Sequence, residues 1–317
     1  MNKGLSLKRL FVMSIIATLI ISSLTGCGKS NKDKKKVIGV TTVTLRHQFF
    51  IDIDQGIREA AKEANVELIV NDSNVDPQKQ TSAIEDFIQK GVDGMVVIGT
   101  DPSAIVPAVE EANKKIPVAT VDMKLTTDNI LTFIGTENKL AGKQLGDYTK
   151  KYIQEKLGGK AKIAVVSWLE SSIQQQRIEG FKEAFKDMPN VKILNAQPGY
   201  DREKSLNTVE NILQAESDVN IIYATAENSV LGTLAAIDSA KKDKVKIVGF
   251  DLTKEAGEGI KSGKIIAMIQ QQPKEMGKIA LKAVLDKISG KVVNKNISID
   301  ALLYDNNNID KFLSTQK

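Results

Sequence analysis

The stretch Gly94-Met95-Val96-Val97-Ile98 is an uninterrupted apolar run, and it decides the fold class of this 317-residue chain. A run of this kind and length is typical of a strand buried on both faces. An amphipathic stretch at 104–112 follows, and a second extended run at 117–121 comes after it. A strand, a helix and another strand in this order predict two parallel strands joined by a right-handed crossover.

The same alternation extends in both directions along the chain. Two such runs predict an α/β fold with two similar doubly wound parallel-sheet lobes, each covered by helices on both faces. The further strands are predicted at 37–40, 66–70, 162–166, 191–194, 220–224 and 245–250, and the further helices at 50–64, 78–90, 140–157, 174–185, 203–214 and 230–240.

The N-terminal segment has the composition of an export signal. A positively charged start and an apolar run at 10–21 are closed by the small residues of Leu24-Thr25-Gly26-Cys27. The run ends before it is comfortably long enough to span a membrane. We therefore predict a signal peptide at 1–26 and a basic tether at 27–36, with an uncleaved anchor helix as the alternative.

Cys27 is the only cysteine of the chain, so an intramolecular disulfide is impossible. The residues around it resemble the lipobox of bacterial lipoproteins, and this resemblance implies cleavage before Cys27 and attachment of lipid to it. Two acyl chains are enough for stable anchoring. The expected location is the extracytoplasmic face of the cell membrane, with a lipid anchor.

The net charge of +5 is concentrated at the N-terminus. Three positive charges belong to the signal segment and a net four to the tether, so residues 37–317 carry about −2. A nearly neutral body on a basic tether is not typical of a nucleic-acid binder. We expect no nucleic-acid partner.

The residue inventory excludes several classes of enzyme. One histidine and one cysteine cannot form a multi-histidine zinc site, and the cysteine belongs to the cleavage motif and so is not available for a Cys-His pair. Neither a GxxxxGK[ST] loop nor a GxGxxG fingerprint occurs. We predict no catalytic residue, no metal and no cofactor, although paired carboxylates are in principle able to hydrolyse glycosides.

Polar and aromatic residues directly follow several predicted strands. They are residues 46–50, Asp122, Trp168 and Asp251. In parallel sheets, ligands bind beyond the carboxyl ends of the strands. Since these residues come from both halves of the chain, we expect them to face each other across a cleft between the lobes.

A series of short motifs extends over residues 37–305. In order, they are Phe49-Phe50, Asp72-Ser73-Asn74, Thr100-Asp101, Ile116-Pro117-Val118 leading into Asp122, Arg177-Ile178-Glu179-Gly180-Phe181, Gly249-Phe250-Asp251, Gln271-Gln272-Pro273 and Met276-Gly277. Their order and spacing resemble those of periplasmic sugar-binding proteins of the ribose/galactose/xylose type, the substrate-capturing partners of importers.

This resemblance implies the type I fold of periplasmic binding proteins, in which three crossings of the chain form a hinge between the lobes. The crossings are expected near Thr136, Gln271 and Asp300. The N-terminal lobe would comprise residues 37–136 plus 272–299, and the C-terminal lobe residues 137–271 plus 300–317.

The resemblance also implies a set of ligand-binding residues. Vicinal hydroxyls of a sugar accept and donate charge-assisted hydrogen bonds with carboxylates and guanidinium groups, and aromatic rings cover its C–H faces. The polar ligands implied are Asp122, Arg177, Asp251 and Gln271, the aromatic residues are Phe49, Phe50, Tyr200 and Phe250, and Arg46 and His47 lie in a loop that faintly resembles the corresponding loop of xylose-type binders.

Each of these assignments has a structural alternative. In the alternative, Asp122 or Asp251 only caps the helix that follows its strand, and Arg177 is a solvated charge on the surface. Phe50 and Phe250 would belong to the core. Gln271 stands among three glutamines, so its assignment can slip by one residue.

Three positions depart from the ribose-binding pattern. Ile98, Met123 and Ala226 stand where the family's ribose binders carry Asn or a similar polar residue, Arg and Asn, respectively. Each missing buried partner costs about 1–3 kcal/mol. Ribose bound in the usual pose is therefore not expected.

The sequence thus predicts a lipid-anchored protein that captures a monosaccharide for an ABC permease, either a pentose such as xylose or ribose, or a hexose. The alternative keeps the binding and changes the output to a membrane histidine kinase. A related repressor would need an N-terminal helix-turn-helix, and an export signal occupies that place.

Overall fold

Two β-sheets, each covered by helices on both faces, organise the computed structural model, which describes residues 35–315. The predicted signal peptide, the lipidation at Cys27 and the tether up to residue 34 lie outside the described residues. Among residues 35–315, no helix combines the length and the apolar character that crossing a membrane requires.

The strands and helices alternate along most of the chain. The strands are β1 (Val37–Thr42), β2 (Glu67–Asp72), β3 (Gly94–Ile98), β4 (Val118–Val121), β5 (Thr132–Thr136), β6 (Ala161–Ser167), β7 (Val191–Ile193), β8 (Gln197–Pro198), β9 (Ile221–Ala224), β10 (Lys246–Phe250), β11 (Ile265–Gln270), β12 (Asn296–Ile299) and β13 (Leu302–Asp305). The helices are α1 (Gln48–Glu63), α2 (Pro77–Gln89), α3 (Val106–Asn113), α4 (Asn138–Lys156), α5 (Ser172–Glu183), α6 (Arg202–Ala215), α7 (Glu227–Ser239), α8 (Lys254–Lys261), α9 (Pro273–Ile288) and α10 (Ile309–Leu313).

The first sheet has the strand order β12-β5-β4-β3-β1-β2, and the second the order β13-β11-β10-β9-β6-β7, with β8 also paired to β6. All strand pairs are parallel except β11 with β13. The antiparallel pair arises because β13 has no crossover helix before it: the chain reaches it from β12 through two residues. An antiparallel edge strand on an otherwise parallel sheet is common in large sheets.

Strand β3 shows why each sheet needs helices on both faces. Val96 and Ile98 point into one core together with Ile53 and Ile57 of α1. Met95 and Val97 point into another, which contains side chains of α2 and α3. Alternate side chains of a strand point to opposite faces, so a strand that is apolar throughout must be covered twice. The double covering predicted from this run is confirmed.

The chain passes between the two sheets three times, as the resemblance implies. It does so after β5, after β11 and between β12 and β13. Hydrogen bonds join these crossings: the Gln272 amide donates to the Asp300 carbonyl at 2.7 Å, and the Ser298 hydroxyl donates to Glu137 at 2.8 Å. Three linked crossings between two lobes are typical of a hinge.

Close helix crossings occur in both lobes. A Cβ added to Gly56 of α1 would lie 1.9 Å from the Lys274 carbonyl oxygen of α9, and one added to Gly180 of α5 would lie 1.8 Å from the Lys139 carbonyl oxygen of α4. Backbone atoms cannot move aside as a flexible side chain can. Glycine at these two positions therefore sets the distance between the paired helices.

Replacing Gly56 by alanine is expected to lower the free energy of unfolding by about 1–3 kcal/mol, because the new methyl group must push α1 away from α9. Urea unfolding of residues 28–317 measures this. The control is Ser82→Ala on the exposed face of α2, which should change stability by no more than about 0.5 kcal/mol. Equal stability of both variants would contradict the close packing.

Candidate ligand-binding site

Two aspartates occupy the same structural position in the two lobes. Asp122 follows β4 and Asp251 follows β10, and their φ angles are 68° and 65°. Their backbone N–H groups donate to Ile134 at 2.9 Å and Ile269 at 2.8 Å, in the neighbouring strand of each sheet. The left-handed region is unfavourable for residues other than glycine, and such residues cluster at functional sites.

Neither aspartate caps a helix. The helix after Asp251 is capped by Thr253, whose hydroxyl accepts from the Ala256 N–H at 3.1 Å. After Asp122 the chain continues to β5 rather than into a helix. The capping alternative is therefore excluded for both carboxylates, which leaves them available at the strand ends.

Arg177 is buried, with 3% of its surface exposed, so it is not a solvated surface charge. Its Nη1 donates to the Thr225 carbonyl at 2.8 Å and to the Asp251 carboxylate at 3.3 Å, and its Nε donates to Asn138 at 2.9 Å. The guanidinium carbon lies 4.3 Å from the centre of the Phe250 ring, which adds a cation–π attraction. The charge is thus held in one place on the second lobe.

Gln271, and neither of its glutamine neighbours, is the residue beside Asp251. Its amide nitrogen donates to Asp251 at 2.8 Å. Gln270 instead accepts from the Leu252 N–H, and Gln272 bonds Asp300. The side-chain carbonyl oxygen of Gln271, Oε1, is buried and has no hydrogen-bond partner among the described residues. A buried acceptor without a donor points to a group that the isolated chain does not supply.

Asp122 brings the first lobe to this cluster. Burial raises the pKa of its carboxyl to about 6; the Arg177 guanidinium opposes this shift and the Asp251 carboxylate adds to it. The charges that influence Asp122 thus belong to residues of the second lobe. The Asp122 carboxylate accepts no hydrogen bond from any residue between 35 and 315, so it too is an open acceptor.

The predicted aromatic residues occupy three different environments. Phe49 and Phe50 are nearly perpendicular at 5.4 Å and pack against the first-lobe core. Phe250 is fully buried, and its ring packs against the guanidinium group of Arg177. Tyr200 is 57% exposed at the carboxyl edge of the second sheet.

The Thr44–Gln48 loop stays with its own lobe. The exposed Arg46 donates from its guanidinium to Asn74. His47 is exposed and lies with its ring 6.5 Å from that of Phe50. The structure thus joins Arg177, Asp251 and Gln271 in one hydrogen-bonded cluster, leaves Asp122 without a bond to it, and places Arg46 and His47 beside Asn74 and Phe50.

Several contributors were not predicted from the sequence. Asn138 and Thr225 fix the orientation of Arg177. Glu227, the first residue of α7, is half-buried, and burial together with the charges of Asp251 and Asp52 raises its pKa. The sequence does contain a signal that points to two of them, because Asn138 follows a predicted crossing and Glu227 follows a predicted strand.

The three residues that depart from the ribose-binding pattern lie in different surroundings. Ile98 is 1% exposed within the core of the first lobe. Met123 is partly buried next to Asp122, and Ala226 precedes α7 without a side chain that can cap the helix.

Within residues 35–315, no group of three or more His, Cys, Asp or Glu side chains is arranged to hold a metal ion.

The family model described as a periplasmic binding protein domain matches residues 38–292. The ribose import binding protein of Bacillus subtilis is 35% identical over 298 residues, covering 90% of this chain and 96% of the relative. The ribose import binding protein of Escherichia coli is 31% identical over 295 residues, covering 92% and 98%.

The comparison of structures agrees with the comparison of sequences. A solute-binding protein of an ABC transporter from Actinobacillus succinogenes, solved with bound D-allose, superposes with a TM-score of 0.81 at 27% identity, over 87% of this chain and 100% of that protein. The predicted resemblance to sugar-binding proteins and the predicted two-lobed fold are both confirmed. The roles of individual site residues stay predictions.

The raised pKa of Asp122 implies that the stability of the folded protein depends on pH. The folded protein holds this proton more tightly than the unfolded chain, so stability is greatest below pH 4 as far as this group is concerned. It falls as the pH rises from the ordinary value of 3.8 to about 6. Above about pH 6, the ionised carboxylate therefore lowers the free energy of unfolding by at most about 3 kcal/mol.

Asp122→Asn removes this charge and tolerates the left-handed backbone. Without ligand, the variant should unfold at higher urea concentration than the natural chain at pH 7.5, and the difference should vanish near pH 4. An Asn variant that is no more stable at pH 7.5 would show that Asp122 is not destabilised by burial.

Proposed function

The chain belongs to the periplasmic binding protein family, and from this membership we propose that it captures a monosaccharide between its two lobes and delivers it to an ABC importer. The relatives described above are sugar-binding proteins of such importers. The family is one of solute-binding proteins that act outside the cytoplasm, so we assign binding and no catalysis to the cleft.

The observation that carries this proposal is the buried Arg177–Asp251–Gln271 cluster at the carboxyl edge of the second sheet. Arg177 and Asp251 are suited to bridging neighbouring hydroxyls by charge-assisted hydrogen bonds. Gln271 offers an unpartnered acceptor. Asp122 adds a carboxylate from the other lobe, so a ligand that bonds all four residues favours the closed form.

The remaining assignments are part of the same proposal. Phe49, Phe50 and Tyr200 form apolar walls of the cleft, Phe250 acts through Arg177, and Arg46 and His47 line its mouth. The lobes comprise residues 37–136 with 272–299 and residues 137–271 with 300–317. The cross-sheet positions of β12 and β13 support this division.

The proposed sugar is a pentose or a hexose other than ribose in its usual pose. The apolar side chains of Ile98, Met123 and Ala226 support this exclusion, because each leaves a hydroxyl of that pose without its partner. The bound D-allose of the Actinobacillus succinogenes protein supports a six-carbon sugar as an alternative.

Anchoring by lipid at Cys27 is proposed on the sequence of the signal segment. In cells fed labelled palmitate, the full chain should carry the label and sediment with membranes. Cys27→Ser should abolish both. A Cys27→Ser chain that still carries the label would contradict lipidation at this residue.

A membrane histidine kinase as the receiving partner is the alternative output. The changed cleft supports it, because a sensor need not take the importer's usual sugar. A gene for a kinase, instead of genes for a permease and an ATPase, next to the coding sequence would favour this alternative.

Residues 28–317 should melt at a higher temperature in the presence of one or more of D-xylose, D-allose, D-galactose and D-ribose. A ligand at 100 times its dissociation constant stabilises the folded state by about 2.7 kcal/mol. Asp251→Asn and Gln271→Leu should each weaken the binding at least tenfold by calorimetry.

The control for these variants is Glu155→Gln, at an exposed position of α4, which should keep the natural affinity. Silence with every sugar, or binding that survives in both site variants, would contradict the proposed cleft.

A further inference from the structure

The basic tether joins the folded chain at the amino edge of the first sheet. Strand β1 begins at Val37, and β3 and β4 begin at the same edge because the three strands are parallel. The Val37 N–H donates to the carboxylate of Asp93, just before β3, at 2.8 Å. The Met95 N–H of β3 donates to the carbonyl of Pro117, just before β4, at 2.9 Å. Adjacent strands lie about 4.8 Å apart, so Pro117 lies about 10 Å from the end of the tether.

A pocket of about 480 Å³ opens at this edge beside Pro117. Among the described residues that line it, three are lysines and none is acidic. Lys114 and Lys115 follow α3, whereas Lys287 lies in the last turn of α9, and all three are exposed. Most other wall residues are apolar, Val293 among them. The pocket thus has an apolar interior and ammonium groups at its rim.

The acidic group beside these lysines does not cancel their charge. Glu111 pairs with Lys114 at 3.2 Å and with Lys115 at 3.0 Å, so one carboxylate serves two ammonium groups. Among residues 35–315, Lys287 belongs to no ion pair of this kind. At least two positive charges at the rim therefore remain available to an anionic partner.

The whole of this end of the lobe is basic. The segments that form and flank the pocket are residues 110–117, 128–131 and 282–295, and together they contain six lysines and four acidic residues. The tether adds a net four positive charges, so this end carries about +6. Residues 37–317 as a whole carry about −2. The positive charge is thus concentrated where the tether enters the fold.

An exposed apolar side chain lies next to the pocket. Val292 precedes the wall residue Val293 and is 97% exposed. Lys291 and Lys295 lie on either side of it in the sequence, and Lys295 donates to the carbonyl of Ile130, which is another wall residue. A membrane surface suits this combination, because the apolar side chain enters the interface while the ammonium groups remain at the level of the lipid phosphates.

The length of the tether places this edge near a membrane. Nine residues separate Cys27 from Val37, and an extended chain spans at most about 3.6 Å per residue. A lipid on Cys27 would therefore keep the amino edge of the first lobe within about 36 Å of the bilayer. We propose that the lysine-rimmed pocket and Val292 form a docking edge that binds the headgroups of anionic phospholipids. This edge holds the first lobe on the bilayer and leaves the second lobe free to move.

This inference rests on the lipid anchoring proposed above, but its test does not require the lipid. Residues 28–317 lack Cys27, so their binding to vesicles measures the docking edge and the tether alone. In sedimentation at low salt, they should bind vesicles of equal parts phosphatidylglycerol and phosphatidylcholine at least about tenfold more tightly than vesicles of phosphatidylcholine. High salt should remove most of this preference.

A matched pair of charge reversals separates the docking edge from the tether. Lys115→Glu combined with Lys287→Glu should weaken binding to the anionic vesicles at least about tenfold. Lys242→Glu combined with Lys244→Glu makes the same change of charge at exposed positions of the second lobe, and should weaken binding by less than about threefold. Circular dichroism checks that both variants are folded.

A fluorophore tests the apolar contact. Residues 28–317 contain no cysteine, so Val292→Cys accepts a single environment-sensitive label. Its emission should rise and shift to shorter wavelength when anionic vesicles are added. The same label on Leu140→Cys, at an exposed position of the second lobe, should not respond.

The failures are distinguishable. Equal binding to both kinds of vesicle overturns the inference, and so does an equal affinity of the two charge-reversal variants, since the tether alone would then carry the attraction. A label at position 292 that responds no more than the label at position 140 also overturns it. None of these results bears on sugar capture or on lipidation, which the thermal-shift and palmitate experiments test, so the proposed function would stand.

Discussion

The buried ion pair between Arg177 and Asp251 is the interaction on which the rest of the site depends. A guanidinium can be buried only when it is paired and its remaining N–H groups are bonded. Asn138 and Thr225 bond Nε and Nη1 and the ring of Phe250 covers one face, which leaves Nη2 without a partner among residues 35–315. The pair therefore fixes the relative positions of α5, of the strand ends β9 and β10, and of the first crossing between the lobes.

The two lobes reach the cleft by the same structural device. In each sheet, one strand is followed by an aspartate in the left-handed region. The N–H group of that aspartate donates a hydrogen bond to the neighbouring strand. The settings of the two carboxylates differ: that of Asp251 is bonded by Arg177 and Gln271, whereas that of Asp122 accepts no hydrogen bond from residues 35–315 and has a raised pKa. Under the proposed function, a ligand bonded by Asp122 and by the second-lobe cluster would favour the closed form and so couple binding to closure.

Most of the architecture could be predicted from the sequence, because runs such as Gly94–Ile98 leave no choice but burial on both faces. The two-residue strand Gln197–Pro198 has no periodicity to detect. Burial of Phe250 beneath Arg177 required knowledge of the packing. The bonding of Arg177 to Asn138 and Thr225 was not predictable, because it depends on the packing of distant segments rather than on local sequence.

The central claim is that a sugar lies between the lobes and is bonded by residues of both. A crystal structure of residues 28–317 with the sugar that gives the largest thermal shift tests it most directly. The account predicts ligand atoms within about 3.2 Å of Arg177, Asp251 and the Gln271 carbonyl oxygen, and of Asp122 from the other lobe. A sugar bound outside the cleft, or one that leaves this cluster untouched, would contradict it.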